Sequence, residues 1–148
     1  MDDGRSAEIS GVYIDGASVG NPGPSGIGVV FVDARERPLA KLCKYVGETT
    51  NNVAEYLALL YALQAAQQRG LKNLVVKTDS ELLTKQLAGQ YKVRDATLRI
   101  LYDLALHTIK GFESFQITHI DRSRNTLADQ LAGEAIEGRF DTSLKTVS

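Results

Sequence analysis

The hydrophobic period of this chain changes once, near Asn52, and that change limits the folds open to it. Before Asn52, three strand-length apolar runs follow one another: Ile9 to Asp15, Ile27 to Val32, and Leu39 to Val46. Short connections join them, GASVGNPGPSG at 16–26 and DARERP at 33–38. Pro22 and Pro24 exclude regular helix from the first connection, and its glycines supply tight turns. Three strands so joined read as an antiparallel meander. From Asn52 to about Arg69 the apolar residues Val53, Tyr56, Leu57, Leu60 and Leu63 adopt helical spacing, and Gly70 stops the helix. A short strand follows at Leu74–Thr78, then helices over 80–88 and 95–110, a strand from Phe115 to His119, and a last helix from about Arg124 to Glu137. Strands separated by helices favour parallel pairing at one edge. The expected product is an α/β fold of mixed character, a five-stranded mixed sheet with helices on its faces in the order βββαβααβα.

With 148 residues there is room for one domain with a real core, expected over 8–138, between a flexible 1–7 and a polar, loose tail at 139–148. Cys43 is the single cysteine, so no internal disulfide forms, which fits the reducing cytoplasm. The opening MDDGRSAE is too polar and acidic for a signal peptide, and the longest apolar run, Leu57 to Leu63, is too short to cross a bilayer. The net charge of −1 argues against a polybasic binder held to nucleic acid by charge alone, yet a local patch would suffice.

Four carboxylates stand out, and each has an ordinary structural explanation. Asp15 ends the first strand and precedes Gly16, a favoured turn pair. Glu55 lies three residues after Asn52, as in a capping box. Asp79 follows a strand and opens a helix, where an acid suits the positive end of the dipole. Asp129 is a first-turn acid three residues after Thr126. Their common placement is what matters. Strand ends and helix starts gather at one edge of such a sheet, where ligand sites form. Carboxylates crowded there repel one another unless divalent cations neutralise them, and hard oxygen ligands suit Mg²⁺ or Mn²⁺. Two such ions about 4 Å apart serve in-line displacement at a phosphodiester.

The segments IDGASVGNPGPSGIG (14–28), TTNNVAEYLALLYAL (49–63), KTDSELL (77–83) and HIDRSRNTLADQLA (119–132) together resemble the four signature blocks of type 1 ribonuclease H. The resemblance covers about residues 8–138. It implies a ribonuclease H-like fold that cleaves the RNA strand of an RNA/DNA hybrid, leaving a 5′-phosphate and a 3′-hydroxyl. By motif, Asp15, Glu55, Asp79 and Asp129 match the family's metal-binding acids, with two ions bound beside substrate. His119, ten residues before Asp129, matches a mobile histidine that helps product leave; an imidazole suits proton transfer near neutral pH, and Arg122 is its nearby rival. The resemblance also implies substrate contacts. Asn21 lies in the Gly-Pro loop, and Asn51 and Asn52 would touch the minor groove, since amides both donate to and accept from 2′-hydroxyls and base edges. Thr50 would lie near a DNA-strand phosphate. Gly16 and Ser18 would lie beside the scissile strand, with Ser80 in the TDS block and Asn125 just before the last acid.

The chain also departs from the family pattern. Some members carry a long basic protrusion with tryptophans, but this chain has no tryptophan and joins its two central helices by residues 89–94 alone. Lys92, Arg94 and Arg99 would form a modest basic patch in its place, or simply a solvated helix flank. Glu81 and Glu48 replace glutamine and arginine of some relatives, so affinity for a polyanion should be weak and salt-dependent. A monomer is expected, with double-stranded RNA a further candidate duplex. Two other readings compete with the hybrid endonuclease. One is a non-catalytic or weakly active nucleic-acid-binding module on the same fold. The other is a related polynucleotidyl transferase or exonuclease, which the TTNN and NTLAD blocks disfavour.

Overall fold

A computed structural model describes residues 8–138 and the backbone of 141–146. The expected flexible segment 1–7 lies outside the described residues, as do 139–140 and 147–148. The elements run β1 (Gly11–Ser18), β2 (Gly23–Val32), β3 (Pro38–Thr49), α1 (Asn51–Gln68), β4 (Asn73–Thr78), α2 (Glu81–Leu87), α3 (Ala96–Ile109), β5 (Ser114–His119), a 3₁₀ turn (Arg122–Arg124), α4 (Thr126–Gly138) and β6 (Asp141–Thr146). The sheet order is β5-β4-β1-β2-β3-β6. β1, β2 and β3 pair antiparallel, and β4 joins β1 and β5 in parallel. The five expected strands and four helices therefore occur in the expected order. The tail read as loose adds a sixth strand, antiparallel to β3. Its segment DTSLKT carries little apolar signal. An open sheet edge recruits a strand through backbone groups, which side-chain patterning does not report.

Alternation along β2 builds two cores. Ile27, Val29 and Phe31 face α1, where they pack with Val12, Ile14, Leu59, Leu63 and Leu98. Val30 and Val32 face α4, with Ala128, Leu131 and Ala135. Because β2 is covered on both faces, it reads as a continuous apolar run rather than an alternating one.

The Gly-Pro segment differs from expectation in a way that shapes the site. It is not one long turn. β1 continues through Ser18 and β2 begins at Gly23, so only residues 19–22 turn, with a cis bond at Asn21–Pro22. Asp15 thus lies inside β1, paired with Gly28. The parallel pairing of β1 with β4, however, stops at Ile14↔Thr78. Asp15 is the first residue past the point where those strands part, so a crevice opens beside it.

Candidate active site

Two glycines bring helices onto the strand that carries Asp15. A side chain at Gly16 would put its Cβ 2.3 Å from the carbonyl of Ala54, at the start of α1. One at Gly28, opposite Asp15, would come within 2.2 Å of the Ala128 carbonyl oxygen in α4. Bare glycine at both places lets the backbones touch. The residues that follow Ala54 and Ala128 are Glu55 and Asp129.

Side-chain oxygens of Asp15, Glu55 and Asp79 lie within 4.8 Å of one another. Asp15 and Glu55 are buried, with 4% and 6% exposure, while Asp79 is half-buried. Asp129 stands at the rim of the group, partly exposed and near enough to Asp15 to act on its charge. Burial, reinforced by Glu55, Asp79 and Asp129, pushes the Asp15 carboxyl up to about 9. Burial likewise lifts Glu55 to about 8, against the pull of the Gly16 N–H, which donates to Glu55 Oε1 at 2.9 Å. Both shifts mark a site that disfavours bare negative charge. An all-oxygen donor set of this compactness suits a hard divalent cation, whose charge would remove that penalty.

The capping assignments change. Thr50, not Asn52, caps α1: its Oγ1 accepts from Val53 N at 3.2 Å. Glu55 does not reach back to a cap but turns to Gly16. Ser80, not Asp79, caps α2, with Oγ accepting from Leu83 N at 3.1 Å. Both acids are thereby free of structural duty at a helix end.

The other expected residues fall around the cluster. Asn21 Oδ1 accepts from Asn51 N at 2.8 Å, tying the 19–22 turn to the start of α1. Asn21, Asn51 and Asn52 are exposed there. Ser18 Oγ donates to the carbonyl oxygens of Gly20 and, at 3.0 Å, Thr49. His119 is exposed, with Nε2 3.3 Å from the Asp79 carbonyl oxygen. Arg122 reaches Asp129 at 3.5 Å and is largely exposed. Asn125, expected to touch substrate, is instead buried, at 1% exposure, with Nδ2 donating to the Ile14 carbonyl at 2.8 Å. It is therefore turned away from any duplex lying across the surface.

The family model described as "Reverse transcriptase-like" matches residues 13–135. Ribonuclease HI of Halobacterium salinarum is 42% identical over 125 residues, covering 84% of this chain. The crystal structure of RNase H1 from the same archaeon superposes with a TM-score of 0.84 at 41% identity, over 86% of this chain and 97% of that one. The chain belongs to the type 1 ribonuclease H family. LC11-RNase H1, solved in complex with an RNA/DNA hybrid, is equally similar, with a TM-score of 0.83 and 41% identity over 87% of this chain and 97% of that one. The chain spans 63% of the curated Halobacterium relative and 35% of a bifunctional Mycobacterium tuberculosis relative at 39% identity.

In this ribonuclease H fold the link between α2 and α3 is only residues 88–95, so no protrusion is present there. Lys92, Arg94 and Arg99 do come together. With Tyr91 and Tyr102 they line a depression of about 400 Å³. A second depression is lined by Asn21, Thr50 and Asn52 together with Asp95 and Thr97 at the start of α3. Sequence reasoning missed the work of Gly16 and Gly28. The signal was there: glycine inside a strand pattern marks close backbone approach.

Proposed function

We propose that this protein is an endoribonuclease that hydrolyses the RNA strand of RNA/DNA hybrids, leaving 5′-phosphate and 3′-hydroxyl ends. The observation that carries the reading is the convergence of the Asp15, Glu55 and Asp79 oxygens within 4.8 Å at the sheet crevice. The hybrid bound to LC11-RNase H1 supports the substrate class.

Asp15, Glu55, Asp79 and Asp129 would hold the divalent cations, two Mg²⁺ or Mn²⁺ with substrate present. Such ions supply a water made acidic enough to attack and a counter-charge for the leaving 3′ oxygen. Asp15 is the acid on which Glu55, Asp79 and Asp129 all act, so cation binding would relieve it most. The exposed amides of Asn21, Asn51 and Asn52 would read 2′-hydroxyls and base edges in the minor groove. Thr50 and Ser80 each spend an oxygen lone pair on a helix cap, which leaves the hydroxyl proton free for a phosphate oxygen. Gly16 and Ser18 line the approach of the scissile strand. His119 and Arg122 are both exposed beside the acids: the His119 imidazole could pass a proton, and the Arg122 guanidinium could draw off the new 5′-phosphate by charge. The Lys92, Arg94 and Arg99 patch would take a flanking backbone by charge. The protein would act as a monomer in the cytoplasm, consistent with its lone buried thiol, Cys43.

The test is cleavage of four labelled duplexes, RNA/DNA, RNA/RNA, DNA/DNA and DNA with one ribonucleotide, in Mg²⁺, in Mn²⁺ and in chelator. Internal cuts in the RNA of the hybrid, abolished by chelator, are the expected result. Binding of hybrid without cleavage in either metal would instead identify a non-catalytic module.

A further inference from the structure

Asn125 has no task in the mechanism above, yet it is buried at the junction of the two elements that carry Asp15 and Asp129. Its Nδ2 donates to the carbonyl of Ile14, the residue before Asp15. Its backbone carbonyl accepts from Asp129 N at 3.1 Å, the first helical bond of α4. Ile14 is also where β1 loses its parallel partner. The side chain therefore takes a carbonyl exposed at the parting of the strands. On the far side of Asp15, the Gly16 N–H is held by Glu55. The peptides flanking Asp15 are thus gripped at both ends.

The other half of the Asn125 amide behaves differently. Oδ1 is buried and has no partner among the described residues. An apolar side chain of similar size would fill the space without stranding an acceptor. Packing alone gives no reason for an amide here, whereas the bond to Ile14 does.

We propose that Asn125 is a positioning residue: it ties the peptide preceding Asp15 to the first turn carrying Asp129, and so fixes the separation of those two carboxylates. The inference rests on the reading of the acids as a cation-holding cluster. Asn125 never touches substrate or ion.

The experiment compares wild type with Asn125→Leu, which keeps the volume, and Asn125→Ala, which does not. Loss of carboxylate register should lower kcat on a hybrid about 10- to 100-fold with KM nearly unchanged, as expected for small misplacement of reacting groups. The Mg²⁺ concentration that half-stabilises the folded protein against heat should rise. Hydrogen exchange in residues 13–18 should quicken while β2 and β3 keep their protection. Wild-type kcat in folded Asn125→Leu, with unchanged exchange over 13–18, would overturn the proposal. So would activity that merely tracks thermal stability across the two variants. Should neither variant fold, slow exchange of the Asn125 side-chain amide protons in the wild type supports the bond, and fast exchange refutes it. A wild type that binds Mg²⁺ but cuts no hybrid would defeat the functional reading alone, since the Mg²⁺ titration and the exchange data still decide the role of Asn125.

Discussion

Replacing Asp15 with asparagine should stabilise the metal-free protein while destroying its activity. In the fold, burial and three neighbouring acids lift the Asp15 carboxyl to about 9, from an ordinary value of 3.8. At pH 7 the folded state therefore keeps a proton that the unfolded chain has shed. Each pH unit above the unfolded value costs ~1.4 kcal/mol, so the penalty at neutral pH has a ceiling of about 4 kcal/mol. Water entry and small shifts of the rim acids relax such sites, so a realistic expectation is on the order of 2–3 kcal/mol.

The sign runs opposite to that of a salt-bridged carboxylate. With the folded value raised, the native state binds more protons than the unfolded chain between the two values. Stability is then complete below pH 4 and falls as pH rises toward 9. Glu55, lifted to about 8, acts in the same direction, though the two sites interact and their penalties do not add. Asparagine cannot ionise. In chelator, Asp15→Asn should unfold about 5–10 °C above wild type at pH 7–8, given roughly 3 °C per kcal/mol for a chain of this size. The two proteins should converge near pH 4. Mg²⁺ at a hundredfold excess over its dissociation constant should return about 2.7 kcal/mol to the wild type and much less to the variant, closing the gap. Calorimetry or urea unfolding from pH 4 to 9, with chelator and with Mg²⁺, reads all of this. Parallel pH profiles of the two proteins in chelator would refute the reasoning, as would an asparagine variant less stable than wild type at pH 8.

Other expectations follow from the same geometry. Asp79→Asn should leave far-UV dichroism and the unfolding midpoint near wild type while hybrid cleavage disappears, because no packing depends on that charge; normal Mg²⁺-dependent cleavage would remove Asp79 from the site. Gly28→Ala pushes a methyl group against the Ala128 carbonyl, so urea unfolding should show a loss of about 1–3 kcal/mol, and kcat should fall as Asp129 moves away from Asp15. Reversing the patch with Arg94→Glu and Arg99→Glu should weaken hybrid binding and flatten its salt dependence, by about one unit of log–log slope for each phosphate no longer neutralised, with cleavage at saturating substrate preserved; an unchanged slope would make the patch a solvated flank.

Much of this arrangement was legible in the sequence because its signals are local. The change of hydrophobic period at Asn52 places the meander and the helices, and the four acids declare themselves by being read near strand ends and helix starts, although Asp15 proves to lie inside β1 and Glu55 just beyond the first turn of α1. What escaped depends on contacts between distant segments. Thr50 and Asn52 are both good caps by composition, and only the path of the chain from β3 into α1 selects Thr50. Asp79 and Ser80 compete in the same way at α2. Asn125 reads as a substrate contact until α4 is set against β1, which buries it. The glycines teach the most. Gly26 and Gly28 alternate with Ile27 and Val29, so they share the α4 face of β2, and a strand face lacking side chains invites a helix backbone. In the structure α4 accepts that invitation, and Gly16 does the same for α1. The acids are thus close together because the residues beside and opposite Asp15 have no side chains. The chemistry of the site is written in its carboxylates, but their spacing is written in its glycines.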